Sequence, residues 1–208
     1  MSLALIGLGL SELSEDFCSE HGVNHESVDL SENELTSFNC LWRFSNLKAL
    51  VLDKNNITGL DPFPRIPSLQ TLWLNANCIE NLEALLLNIA DAFPSLNYLS
   101  LLKNPCCPDI FRGASDLEYK KYRIYVISKL PCLKFLDSSP ITEVERQEAI
   151  RIGQYLKVSS GPSKKVDVSF VPPSPEVDLS VSSNVGVVRF QYTGKNSEGN
   201  KFIMNDHL

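Results

Sequence analysis

The sequence predicts an α/β solenoid: short parallel strands stacked side by side, helices behind them, a helical C-terminal cap and a flexible C-terminal tail. Three observations carry this. Leucine supplies 30 of the 208 residues. An asparagine recurs at Asn33, Asn55, Asn77 and Asn104. Around each lies the pattern L-x-x-L-x-L-x-x-N-x-L or a degraded form of it, a fixed-period self-similarity of the kind that marks repeat architectures.

The second copy reads Leu47-x-x-Leu50-x-Leu52-x-x-Asn55-x-Ile57-x-x-Leu60, and the third Leu69-x-x-Leu72-x-Leu74-x-x-Asn77-x-Ile79-x-x-Leu82. The fourth is Leu96-x-x-Leu99-x-Leu101-x-x-Asn104, followed by Pro105. A weaker first copy, Val28-x-Leu30-x-x-Asn33-x-Leu35, has His25 in place of the leading leucine, and Leu133-x-x-Leu136-Asp137 is a closing half-copy. The L-x-L step has the period of a strand whose leucines share one face. No copy covers its own leucines, so copies stack and bury one continuous core. Each asparagine is expected to bond the backbone of the turn that ends its strand, a structural role for all four. The expected architecture is a leucine-rich-repeat horseshoe with its strands on the concave face.

The outer segments read as helices. Between Asn81 and Phe93, residues Leu82, Leu85, Leu86, Ile89 and Phe93 fall on one helical face. Ser115-Asp-Leu-Glu118 is a capping box that opens a second helix, with Tyr122, Tyr125, Val126 and Leu130 inward, stopping before Pro131. Thr142-Glu-Val-Glu145 opens a third, running to about Leu156. The ends of a solenoid need covers. The stretch Tyr119 to Asp137 resembles the cap of intracellular leucine-rich-repeat proteins, and Ile141 to Ala149 resembles the helix that follows it. The expected organisation is an N-terminal cap over 1–24, repeats and cap motif over 25–137, a cap helix over 138–157, a flexible linker over 158–184 and a docking motif over 185–208. The linker follows from Pro/Ser-rich segments such as Val171-Pro-Pro-Ser-Pro. In the tail, Phe202, Ile203, Met204, Asp206 and Leu208 are the candidate docking residues, able to add a strand to a partner or to seat a carboxylate.

Composition excludes several classes. A net charge of −6 argues against a broad nucleic-acid surface. No apolar run is long enough to span a bilayer. Leu3 to Leu10 is apolar, but no Lys or Arg precedes Arg43, so it reads as mature sequence of an intracellular protein rather than a signal segment. The six cysteines lack paired C-x-x-C spacing and are expected to be reduced and buried, with no metal or cofactor. Three histidines, at 21, 25 and 207, form no catalytic set with a nucleophile, and no phosphate loop or zinc motif occurs, so no enzyme is expected.

The strand register gives the candidate site. With the leucine pairs inward, the outward columns are Ser27, Ala49, Thr71, Tyr98, Phe135, then Asp29, Val51, Trp73, Ser100, Asp137, then Ser31, Asp53, Asn75, Leu102. A solvated strand face should be polar. Val51, Trp73, Tyr98, Leu102 and Phe135 instead make an apolar patch, rimmed by Asp53, Lys54, Asn75 and Lys103, and such patches mark partner sites. Val51, Asp53, Trp73, Asn75, Tyr98, Leu102 and Phe135 are therefore the candidate partner-binding residues. Charge is uneven as well: residues 1–42 carry eight acids and no Lys or Arg, whereas 103–134 carry seven bases against three acids.

Ser95 to Asn104, Tyr119 to Arg123, Lys129 to Asp137 and above all Gly194-Lys-Asn-Ser-Glu-Gly-Asn-Lys-Phe-Ile203 carry a further likeness. Over roughly 26–157 and 188–208 the chain resembles the leucine-rich melanocyte differentiation-associated family. The resemblance implies a non-enzymatic adaptor of pigment-cell differentiation and melanosome formation. Its repeat domain would bind an active Rab-type small GTPase, and its tail a Retriever-like sorting complex. It would be monomeric and cytoplasmic, peripheral on melanosome or endosome membranes through its partners. The competing readings are a regulatory or scaffold subunit for a phosphatase or cytoskeletal complex, and a ribonucleoprotein accessory.

Overall fold

A computed structural model describes residues 1–36, 38–109 and 112–156. The tail candidates Phe202, Ile203, Met204, Asp206 and Leu208 lie outside the described residues. One sheet of seven strands runs through the fold in sequence order: β1 (Ser2–Ala4), β2 (Ser27–Asp29), β3 (Ala49–Val51), β4 (Thr71–Trp73), β5 (Tyr98–Ser100), β6 (Phe135–Leu136) and β7 (Ser139–Pro140). The first six are parallel; β7 pairs antiparallel with β6. Among the described residues lie four α-helices: α1 (Glu15–His21), α2 (Leu82–Ala92), α3 (Asp116–Lys129) and α4 (Glu143–Ile152). The central residues of β2 to β5 (Val28, Leu50, Leu72 and Leu99) align and are fully buried, as are Leu30, Leu52, Leu74 and Leu101 just beyond each strand.

The asparagines do more than hold their own turns. The Asn77 amide nitrogen donates to Leu74 O at 3.0 Å and Asn75 O at 3.2 Å, and also to Leu52 O of the preceding repeat at 2.9 Å. Its Oδ1 accepts from Asn55 N and Ile57 N, both at 3.2 Å. Asn33, Asn55 and Asn104 repeat this bridging, each with a carbonyl of its own repeat and one of the repeat before. The residue just before each asparagine is left-handed: Glu32, Lys54, Ala76 and Lys103 have φ between 53° and 63°. That conformation disfavours a side chain, and one residue in every repeat accepts it so that the amide points back under the strand.

The amino-terminal segment differs from expectation. Where a cap over 1–24 was expected, Ser2–Ala4 forms a further parallel strand in register with β2. It begins a degenerate repeat in which Leu8 takes the asparagine position and Gly7, at φ 66°, takes the left-handed one. Both Leu8 N and Leu10 N donate to Asn33 Oδ1, at 3.0 and 3.1 Å. Behind it, α1 lies against the 3-10 turn Asn39–Arg43 and joins Cys18 to Cys40 as a disulfide across 22 residues, one repeat period, correcting the expectation of six reduced cysteines. Cys78 and Cys132 are exposed rather than buried. Cys106 and Cys107 are buried as expected, and burial pushes the Cys106 thiol up to about 12 and the Cys107 thiol higher still. Thiols of that kind are inert. Leu60 also departs from the repeat pattern and is 62% exposed, because Gly59, at φ 78°, turns the chain there while its backbone packs on Leu85 and Ile79.

The helices open as the sequence predicts. Asn81 caps α2, and Ser115 and Thr142 form reciprocal capping boxes with Glu118 and Glu145. The carboxyl-terminal end is held by a buried charge network. Arg123, 5% exposed, donates to Leu136 O at 3.0 Å and to Glu145 Oε1 at 2.5 Å, tying α3 to α4 and β6. Burial works against the Glu145 carboxylate, but Arg123 and the Thr142 amide and hydroxyl outweigh it and hold the group below its usual range. An acid held down in the folded state adds stability above the ordinary carboxylate range and loses it as pH falls through the lowered value.

Two outcomes follow for urea unfolding. Asn77→Ala leaves the buried Asn55 N and Ile57 N without an acceptor and is expected to cost about 3 kcal/mol. Glu145→Gln is expected to cost about 3 kcal/mol near neutrality by leaving the Arg123 charge without its carboxylate, with the gap to the wild-type chain narrowing as pH falls below the ordinary carboxylate range and through the lowered Glu145 value.

Candidate functional site

The face of the sheet turned away from the core presents the predicted columns in register. Ser27, Ala49, Thr71, Tyr98 and Phe135 are successive partners, as are Asp29, Val51, Trp73 and Ser100. The strands bring the aromatic residues together: Trp73 and Tyr98 have ring centroids 5.1 Å apart, and Tyr98 and Phe135 6.3 Å apart. These distances lie in the range of favourable tilted aromatic pairs. Val51, Trp73 and Tyr98 are half-buried, and Phe135 is 44% exposed. The row thus crosses three neighbouring strands, β4, β5 and β6, with Val51 extending it onto β3. Leu102 stands at its carboxyl side, half-buried against the core.

The polar rim is less free than the sequence suggests. Asn75 Oδ1 accepts from Ser100 Oγ at 2.6 Å and from Leu102 N at 2.9 Å, while its Nδ2 donates to Asp53 Oδ2 at 3.1 Å. Asp53 Oδ1 also accepts from Asn75 N at 2.8 Å. Asp53 and Asn75 therefore lock the loops after β3, β4 and β5 together, and only their outer edges remain for a partner. Ser100 and Asp137, expected in an outward column, are buried at 2% and 0% exposure. Asp137 turns inward because Leu101 N donates to its Oδ1 at 2.9 Å and the Tyr119 hydroxyl to its Oδ2 at 3.0 Å. Burial pushes this carboxyl above its usual range despite those two donors. It belongs to the cap rather than the open face.

The acidic amino-terminal end is partly neutralised. Glu15 pairs with Arg43 at 2.7 Å, Glu26 with Lys48 at 2.9 Å and Glu32 with Lys54 at 2.6 Å. These cross-repeat pairs consume the basic residues of the middle repeats. At the other end, Lys103 and Lys134 stand exposed beside the aromatic row. Sequence reasoning found Lys103 but missed Lys134. Its signal was available, since it precedes Phe135 as Asn97 precedes Tyr98. Among the described residues no group of acids, cysteines and histidines could hold a metal ion, and no helix is long and apolar enough to cross a membrane.

A stack of asparagine-bridged repeats closed by capping-box helices, with an aromatic row on its open face, defines a class, and comparison supports it: a leucine-rich-repeat family model matches residues 21–161, and the chain belongs to that family. It is 41% identical over 140 residues to the human (Homo sapiens) leucine-rich melanocyte differentiation-associated protein, covering 62% of this chain and 71% of that one. Among solved structures it is similar to a chain of the Drosophila melanogaster SNF/U2A' complex, with a TM-score of 0.54 and 23% identity, covering 74% of this chain and 84% of that one. The latter likeness is one of fold.

The two sides of β4 should respond differently to truncation. Leu72→Ala is expected to cost about 2–5 kcal/mol in urea unfolding, because Leu72 lies in the core. Trp73→Ala, on the open face, is expected to cost less than the core truncation beside it. Equal costs would place Trp73 in the core.

Proposed function

We propose that the chain is a non-enzymatic adaptor in melanosome and endosomal membrane traffic, associated with melanocyte differentiation. Its open sheet face reads an active Rab-type GTPase, and the tail segment 185–208 engages a Retriever-like sorting complex. The observation that supports a docking face best is the row Trp73, Tyr98 and Phe135, three aromatic rings paired in succession on a sheet surface that ordinary solvation would keep polar. Aromatic anchors of this kind carry a large share of binding energy in protein interfaces. The relative's association with melanocyte differentiation supports the cellular setting. Two binding elements on one chain, joined through the segment 158–184, raise the avidity for a membrane-bound assembly without new contacts at either site. In this reading the protein is cytoplasmic and reaches membranes only through its partners.

The test titrates the full-length chain against a melanosomal Rab-type GTPase carrying a GTP analogue, and again carrying GDP. Binding is expected only with the GTP analogue. Trp73→Ala is expected to weaken it by at least about tenfold, as loss of a central anchor does, and deletion of residues 200–208 to leave it unchanged. Equal affinity in both nucleotide states would point instead to a scaffold subunit. No binding in either state would overturn the Rab reading.

A further inference from the structure

The aromatic row is bordered on both sides by a ledge of residues, one from each repeat. On the amino side run Glu26, Lys48, Gln70, Asn97 and Lys134. They form one line because each backbone N–H donates to the carbonyl of its predecessor: Lys48 to Glu26 at 2.7 Å, Gln70 to Lys48 at 2.8 Å, Asn97 to Gln70 at 2.8 Å and Lys134 to Asn97 at 2.7 Å. On the carboxyl side run Glu32, Lys54, Ala76 and Lys103, the left-handed positions. Both ledges carry the same order of charge. An acid comes first and is paired with the lysine of the next repeat, Glu26 with Lys48 and Glu32 with Lys54. Neutral residues follow. Each ledge then ends on an exposed lysine that has no ion-pair partner among the described residues.

We propose that the partner element seated on the aromatic row carries carboxylates on both flanks, one facing Lys103 and the other Lys134. This rests on the reading of the row as a docking face and names the chemistry of what docks there. The two lysines belong to opposite ledges, about 15–20 Å apart along the strand direction at an extended rise per residue. That separation is too wide for one small anion to bridge. It matches a single polypeptide element, whose width with side chains is about 10–12 Å when helical. The opposite end of the face carries Asp29 and Asp53, neither in an ion pair among the described residues. An acidic element is attracted over β5 and β6 and repelled over β2 and β3, which gives the docked partner a direction as well as a place.

The experiment uses the full-length chain and two labelled synthetic peptides with the same apolar strip, one flanked by glutamates and one by lysines. Fluorescence anisotropy reads their affinities at low and near-physiological salt. The acidic peptide is expected to bind about tenfold tighter at low salt, with the ratio shrinking as salt rises, as rim ion pairs do. Lys103→Ala with Lys134→Ala removes the preference, and Lys103→Glu with Lys134→Glu reverses it. Equal affinity for the two peptides overturns the proposal, as does a preference that survives the double reversal or absence of binding by the acidic peptide. Trp73→Ala separates the two claims. If it weakens both peptides while their affinities are equal, the docking face stands and only its charge reading falls. If it changes neither, the docking face itself falls.

Discussion

The asparagine side-chain amide fixes almost everything else in this fold. In each of four repeats it spans two layers of the stack, donating to carbonyls of its own repeat and of the one before it. A carboxamide suits this position because it offers donors and an acceptor on one planar group. Buried backbone at the strand ends would otherwise lack partners, and an unsatisfied buried polar group is costly. By locking one repeat against the next at a fixed offset, the amides also align the outward side chains. Trp73 meets Tyr98 diagonally across β4 and β5, whose offset the Asn104 amide bridges, and Phe135 is the register partner of Tyr98.

This division of labour explains how much of the molecule was legible in the sequence. The asparagine spacing and the L-x-L step give the register directly, so the outward columns and the three-ring patch could be read residue by residue. The helices were equally legible, since α2, α3 and α4 carry their own capping signals. What could not be read depended on contacts distant in sequence or on positions where the pattern decays. Strand β1 was hidden because Leu8 replaces the asparagine and leaves only an apolar run. Asp137 looked like a surface residue until Leu101 N, 36 residues away, and the Tyr119 hydroxyl, 18 away, drew it into the cap. Periodicity also cannot show that Asn75 spends its polar atoms on Asp53, Ser100 and Leu102.

The two ends of the sheet are treated differently. At the carboxyl end, β7 turns back antiparallel and places Pro140 opposite Phe135. Proline offers no backbone donor, which makes it a poor template for another strand. Helices α3 and α4 reinforce that end through Arg123, whose charge is used up by Glu145 and by backbone carbonyls. The buried Arg123–Glu145 pair thus serves closure, while the aromatic row lies on the open face beside it. Repeats whose cations are paired laterally lie between the acidic end and the exposed Lys103 and Lys134.

The absence of an asparagine from the first repeat bears on how firmly that layer is held. The β2, β3 and β4 layers are each gripped twice, by their own amide and by the amide of the layer after them. The β1 layer is gripped once, through the bonds of Asn33 to Leu5, Leu8 and Leu10. Because interactions in such an array run only between neighbours, the stack behaves as a one-dimensional chain of coupled units. At its strand end the amino-terminal layer is therefore held by one amide rather than two, while the Cys18–Cys40 disulfide ties the helix behind it to the next repeat. Amide protons at that strand end would exchange with solvent ahead of those in the doubly bridged layers.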